Sequence, residues 1–257
     1  MPAVFISHGT PLNALLDNRF TRAWSAFGHD LGACEAIVCV SAHWVTQGMS
    51  CVSAGAEPPT IYDMRGFPDA LYRIVYPARG HTELATELVE RIPGVVLSSD
   101  WGYDHGTWSV LVHMLPRADV PVIQLSIDYA LPPARHLALG RELAFLRDRK
   151  VLLLGSGQFV HNLAEAGPRT DHEMVPYDWA VEFDTIVSGW IDAGDFGRVA
   201  NFESLGALAE RAHPTYEHFL PLLYVLGAST DEDRLRWLTE GIVSGCHGMR
   251  SLVVEES

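Results

Sequence analysis

Three apolar, β-rich runs in this 257-residue chain each lead to a histidine. They are Ala3-Val4-Phe5-Ile6-Ser7-His8-Gly9, Ala36-Ile37-Val38-Cys39-Val40-Ser41-Ala42-His43-Trp44 and Val151-Leu152-Leu153-Leu154-Gly155-Ser156-Gly157-Gln158-Phe159-Val160-His161. Imidazole is the commonest protein metal ligand and the side chain that exchanges a proton nearest neutral pH. Buried strands of an α/β sheet read as such continuous runs, and ligands bind where those strands end. Three histidines delivered to one sheet edge therefore point to a metal-dependent site. Ser7 and Gly9 flank His8, and Ser41 and Ala42 precede His43, so small neighbours leave room for an ion or a substrate.

Two further segments carry candidate groups. Asp100-Trp101-Gly102-Tyr103-Asp104-His105-Gly106-Thr107 reads as a loop entering a helix, with Asp104 either orienting the His105 ring or capping that helix. His161 follows a glycine-rich strand exit, with Asn162 as a hydrogen-bonding neighbour, and the segment lacks the Gly and Lys spacing of a phosphate-binding loop. Downstream, Pro214 and Thr215 mark a helix start that puts Glu217 and His218 in its first turns. Adjacent helix positions point about 100° apart, so one of these two faces a metal shared with His8 and His43. Two histidines with Glu217 would form the facial set of non-haem Fe(II) oxygenases, whereas three histidines suit zinc carrying a hydrolytic water. Spacing leaves both open. His29, His81, His113, His136, His172 and His247 fall on expected helices, termini or loops and are read as packing or surface residues.

The elements that must position these groups alternate. Helical spacing covers residues 19–31, followed by strands at 35–42 and 49–53. Residues 55–68, rich in Pro and Gly, read as a loop over the sheet edge, where Tyr62 to Phe67 are placed to hold a substrate ring. Helices are expected at 68–74, 82–92, up to residue 115, and at 132–149, with strands at 94–98, 121–127 and 151–155. From residue 176 onward the pattern is mostly helical, closing with a strand at 251–254. The expected fold is a single α/β domain spanning 1–257. Its central sheet is mostly parallel or mixed, with helices on both faces and the site at the C-terminal ends of the strands.

Composition narrows the partners. A hydrophobic fraction of 48% fits a packed globular chain, and no apolar run reaches the roughly 20 residues that span a membrane. The formal net charge of −14 argues against nucleic acid and anionic membranes as partners. Met1-Pro2 leads straight into the first apolar run, and a cytoplasmic location is expected. Cys34, Cys39, Cys51 and Cys246 form no paired spacing, so neither a disulfide framework nor a Cys-based zinc site is expected.

Taken together, seven stretches give the chain a family likeness. They are His8-Gly9-Thr10-Pro11, Val40-Ser41-Ala42-His43-Trp44, Pro58-Pro59-Thr60-Ile61-Tyr62-Asp63, Trp101-Gly102-Tyr103-Asp104-His105-Gly106, Gln124-Leu125-Ser126-Ile127-Asp128, Gly155-Ser156-Gly157 with His161-Asn162-Leu163, and Glu217-His218-Phe219-Leu220-Pro221-Leu222-Leu223-Tyr224. The chain resembles the class III (LigB-type) extradiol ring-cleavage dioxygenases, most closely the 4,5-DOPA dioxygenase extradiol branch, over nearly its whole length. The resemblance implies one divalent metal per subunit, Fe(II) for activity, with Zn(II) an ion that purified protein can also carry. It implies a small aromatic diol and O2 as substrates. It puts His8, His43 and His218 on metal-ligand positions and leaves Glu217 beside them as a supporting residue. His161 matches the acid/base histidine, close enough to touch the metal as well, and His105 matches a second histidine near substrate and oxygen. Tyr216 departs from the proline common at that position and bears on substrate choice. Two rival readings stand beside this one: a zinc-dependent hydrolase using a three-histidine site, and a non-catalytic interaction module on the same fold.

Overall fold

The computed structural model describes residues 1–167 and 175–257; His172 lies outside the described residues. Strands β1 (Ala3–Ser7), β2 (Ala36–Thr46), β5 (Val122–Asp128) and β6 (Val151–Gly157) form a parallel heart in the order β5-β2-β6-β1. Every residue of β1, β5 and β6 is buried, as the continuous apolar runs require of strands covered on both faces. Side chains alternate between two cores. Val4, Ile6, Ile37, Cys39, Leu152 and Leu154 face one way, against helices α1 (Arg19–Asp30) and α3 (His105–Met114). Phe5, Val38, Val40, Val151 and Leu153 face the other. There they meet α2 (Thr82–Arg91), α4 (Pro133–Leu143), α5 (Phe145–Asp148), α6 (Asp178–Asp192), α7 (Phe196–Ala200), α8 (Ala207–Ala212) and α9 (Leu220–Gly227).

The sheet is mixed. On one side β3 (Ser50–Ser53) runs antiparallel to β5 and parallel to β4 (Val95–Ser98). On the other, β10 (Ser251–Glu256) pairs antiparallel with β1, and β7 (Asp233–Thr239) closes the edge. β7 falls inside the stretch expected to be helical. Its sequence, Asp-Arg-Leu-Arg-Trp-Leu-Thr, hides the strand because Asp233, Arg234 and Arg236 interrupt the apolar residues, and charges are common on edge strands. A short hairpin, β8 (Ile242–Val243) with β9 (His247–Gly248), follows.

Three expected helices change extent. Residues 68–74 yield only a single 3-10 turn, Leu71–Arg73, because extended backbone returns at Ile74 ahead of Pro77. The segment 132–149 breaks at Ala144 into α4 and α5. The helix expected to begin at Pro214 begins instead at Leu220, with Pro221 in its first turn. Among the described residues, no helix is long and apolar enough to cross a membrane.

Candidate active site

Each strand-end histidine is aimed by a local feature of the backbone. His8 directly follows β1, and its N–H donates to Gly157 O at 3.0 Å, tying the end of β1 to the end of β6. β2 slips register against β5: Val40 pairs with Leu125, but Val45 pairs with Ile127. The bulge between them holds Ser41 to Trp44 and turns His43 toward His8. The two Nε2 atoms lie 3.2 Å apart.

His218 reaches the same place from the turn before α9. Gln158 N donates to His218 O at 2.8 Å, docking this turn on the end of β6. Gly157 permits the approach, since a Cβ there would sit 2.2 Å from His218 O. The Gly155-Ser156-Gly157 exit is thus a seat for backbone. Its Ser156 hydroxyl donates to Gly106 O at 2.5 Å and so accepts from His8 Nδ1–H at 3.0 Å. His218 Nδ1–H donates to Glu217 Oε1 at 2.9 Å. Both rings therefore carry their proton on Nδ1 and leave Nε2 bare.

His105 is the first residue of α3, and Asp104 is its N-cap. The Asp104 carboxylate accepts from Thr107 N at 3.1 Å, the Ser41 hydroxyl at 2.6 Å, Gln124 Nε2 at 2.7 Å and Trp101 Nε1 at 3.1 Å. It caps the helix and braces the β2 bulge, and the His105 ring turns to Asp63 instead, Nδ1 to Oδ2 at 2.8 Å. The ring of His105 lies 3.8 Å from that of His43, centroid to centroid.

His161 is held by its N–H donating to Ala212 O at 3.0 Å, and its ring stacks on His218. Asn162 turns away from it, donating to Arg211 O and accepting from the backbone of Ala164 and Glu165. The ring of His247 lies 5.9 Å from His161, delivered by the β8–β9 hairpin through Gly248 N–H donating to Val160 O at 2.9 Å.

These groups line one cavity of about 190 Å³, whose remaining wall includes Thr10, Pro11, Met64, Phe67, Gln158 and Leu163. Phe67 lines it as the loop reading expected. Tyr62 does not: its hydroxyl donates to Ile74 O at 2.7 Å and its ring packs on Tyr72 and Trp108 behind the wall. Met64 of the same loop lines it too, and Leu163, Gln158 and His247, to which the sequence assigned no such place, complete the wall.

The electrostatics favour neutral imidazoles. Burial, then the neighbouring His218, His105 and His247, hold His8 well below the ordinary imidazole value. Burial and the surrounding rings do the same for His43 and His161. Burial works to raise the Glu217 carboxyl, but the His218 contact outweighs it and keeps the group below its usual range. In Asp104 burial wins, aided by nearby Asp63, and its carboxyl is raised.

Among the described residues, two sets of donor atoms gather within 4.8 Å, His8 with His43 and His105, and His161 with Glu217 and His218. The donor chemistry fits a divalent metal. Neutral Nε2 lone pairs that face one another repel unless a cation lies between them. The 3.2 Å between His8 and His43 is also the spacing of two nitrogens each about 2.1 Å from one ion.

Comparison with known proteins agrees with this chemistry. The sequence profile of the catalytic LigB subunit of aromatic ring-opening dioxygenase matches residues 2–254. The chain is 44% identical over 262 residues to 4,5-DOPA dioxygenase extradiol of Escherichia coli K12, covering 99% of this chain and 94% of that protein. It is 36% identical to 4,5-DOPA dioxygenase extradiol of Beta vulgaris, covering 90% and 87%. The crystal structure of an uncharacterized Escherichia coli K12 protein superposes with a TM-score of 0.84 at 39% identity, over 99% of this chain and all of that one.

Proposed function

Because the chain belongs to the LigB family of aromatic ring-opening dioxygenases, enzymes dependent on a non-haem metal, we propose that it opens the ring of a small DOPA-like catechol with O2. The observation that carries this reading is the convergence of His8, His43 and His218 on a cavity also walled by Phe67 and Met64. We assign those three histidines to one divalent ion, Fe(II) for activity, and give Glu217 the task of holding His218.

When bound, such an ion acidifies a coordinated diol and lets O2 react with the electron-rich ring. The protein supplies the rest. His161, kept neutral by burial, takes the second hydroxyl proton at a ring nitrogen and returns it to oxygen as the ring opens. His105, its Nδ1–H donated to Asp63, presents a bare Nε2 that takes a proton from the diol and, once it carries that proton, donates it toward oxygen on which charge builds. Phe67 and Met64 cover the ring and exclude water. The product is a yellow muconic semialdehyde that keeps both atoms of O2.

The test is anaerobic Fe(II) loading followed by oxygen uptake and visible absorbance across a panel of catechols. One O2 consumed per ring, with a yellow product, is expected. Oxygen-independent cleavage of an ester or amide by the Zn(II) form would favour the hydrolase reading instead. His8→Ala and His43→Ala should each lose the metal, and full occupancy by elemental analysis would sink that ligand assignment.

A further inference from the structure

Asp63 touches two of the site's rings at once. Its Oδ1 accepts the backbone N–H of His105 at 2.8 Å, and its Oδ2 accepts His105 Nδ1–H at 2.8 Å. The same Oδ2 lies 3.4 Å from His43 Nδ1. Since the two rings are 3.8 Å apart, one carboxylate oxygen sits at the Nδ1 edge of both. A carboxylate only accepts hydrogen bonds, so the His105 Nδ1 bonded to it carries the proton, and a proton at the nearby His43 Nδ1 is the arrangement the same oxygen favours. Both Asp63 oxygens face N–H groups of His105, so the carboxyl serves as an acceptor at each.

The loop carrying Asp63 is braced. Ile61 N donates to Tyr103 O and Tyr103 N to Pro59 O, both at 2.8 Å, and Trp108 Nε1 of α3 donates to Ile61 O at 3.0 Å. Tyr103 is fully buried, with its hydroxyl on Val122 O of β5 at 2.9 Å. Asp63 therefore rides on the same framework as the histidines it contacts, which is what a precise orienting group needs.

We propose that Asp63 is a positioning residue that fixes His43 and His105 together as Nδ1–H tautomers, turning one bare Nε2 toward the metal position and the other toward substrate. The proposal rests on the reading of His43 as a ligand and His105 as a substrate-side group. It links metal retention and proton handling through a single carboxylate.

Long-range 15N–1H correlation spectra of the imidazole rings, taken on metal-free and Zn(II)-loaded protein, report the tautomers without any ring cleavage. His43→Gln and His105→Gln assign the signals. Nδ1–H is expected at both rings in the unmodified protein. Asp63→Asn puts an amide where an acceptor stood, and should move His105 to Nε2–H. It should also lower kcat at least ~10-fold while KM for the catechol changes by less than about threefold. Asp63→Glu should restore the Nδ1–H state and part of kcat. An Nε2–H signal at either ring of the unmodified protein overturns the proposal, even if Asp63→Asn does not fold. So does Asp63→Asn with both rings still Nδ1–H. Nδ1–H at both rings with no catechol cleaved upholds the clamp and overturns the catechol reading.

Discussion

His161 and His218 lie face to face, with ring centroids 3.7 Å apart and planes 11° from parallel. His218 has its Nδ1 engaged by Glu217, while His161 is held at its backbone by Ala212. Burial, then the adjoining His218, opposes charge on His161, so its ring stays unprotonated and serves as a base only toward a hydroxyl that is itself acidified. His161→Ala should therefore keep the metal and lose about 10²- to 10⁴-fold in kcat, the usual worth of general acid/base catalysis. Elemental analysis beside oxygen-uptake kinetics separates the outcomes. Loss of the ion would make His161 a fourth ligand, and unchanged turnover would remove it from the proton-transfer role.

Glu217 tests how His218 is held. Its Oε1 accepts His218 Nδ1–H at 2.9 Å and the Thr215 hydroxyl at 3.1 Å. Removing such a partner from a metal-bound histidine typically costs 10- to 100-fold in affinity. Glu217→Ala should weaken metal binding by about that factor in a chelator competition titration, yet fill at saturating metal. Glu217→Gln, which still offers an amide oxygen, should lose less. A site that stays empty at saturation would make Glu217 itself a ligand.

Some of this site is readable from the chain and some is not, for physical reasons. His8, His43 and His161 stand out because buried parallel strands write continuous apolar runs: His8 directly follows β1, His43 sits in the bulge of β2, and His161 lies a few residues past the end of β6. Glu217 and His218 could not be separated because Pro214 suggested a helix, where neighbours diverge. They occupy a turn, where one supports the other. Asp63 was hidden because its ring partner lies 42 residues away while Asp104 lies next to that ring in sequence. His247 was hidden because it arrives on a two-residue strand whose register with Val160 no periodicity reports.

The seat under His218 can be probed sterically. A Cβ at Gly157 would lie 2.2 Å from His218 O, so Gly157→Ala must push the turn off β6. Overpacking of this kind costs about 1–3 kcal/mol, and here it also displaces a candidate ligand. Lower thermal stability together with weaker metal binding is expected. At Gly189, inside α6, an added Cβ would meet nothing within 4 Å, so Gly189→Ala should leave metal binding alone and gain up to about 1 kcal/mol. Equal behaviour of the two variants in a calorimetric scan and a metal titration would refute the seat.

Two buried histidines away from the cavity wall add to the acid sensitivity of the fold. His136 in α4 donates from Nε2 to Leu131 O at 3.3 Å, and in the neutral ring its Nδ1 accepts the Tyr224 hydroxyl at 3.0 Å. Burial pushes His136 down to about 4, and burial does the same to His213, whose Nε2 donates to Phe159 O. In the unfolded chain an imidazole takes its proton near pH 6.5. Between about 6.5 and 4 the unfolded state therefore binds more protons, and stability falls as pH falls. It is intact above that window, and each histidine withdraws on the order of 3 kcal/mol by its lower end. Urea unfolding of the metal-free protein from pH 7.5 to 4.5 should show this slope. His136→Gln should start less stable at pH 7.5, having lost the fitted ring, yet fall less steeply by up to about 1.4 kcal/mol per pH unit. A slope equal to that of the unmodified protein would mean that His136 does not carry the acid sensitivity, because its charging would then cost the folded state no more than the unfolded one.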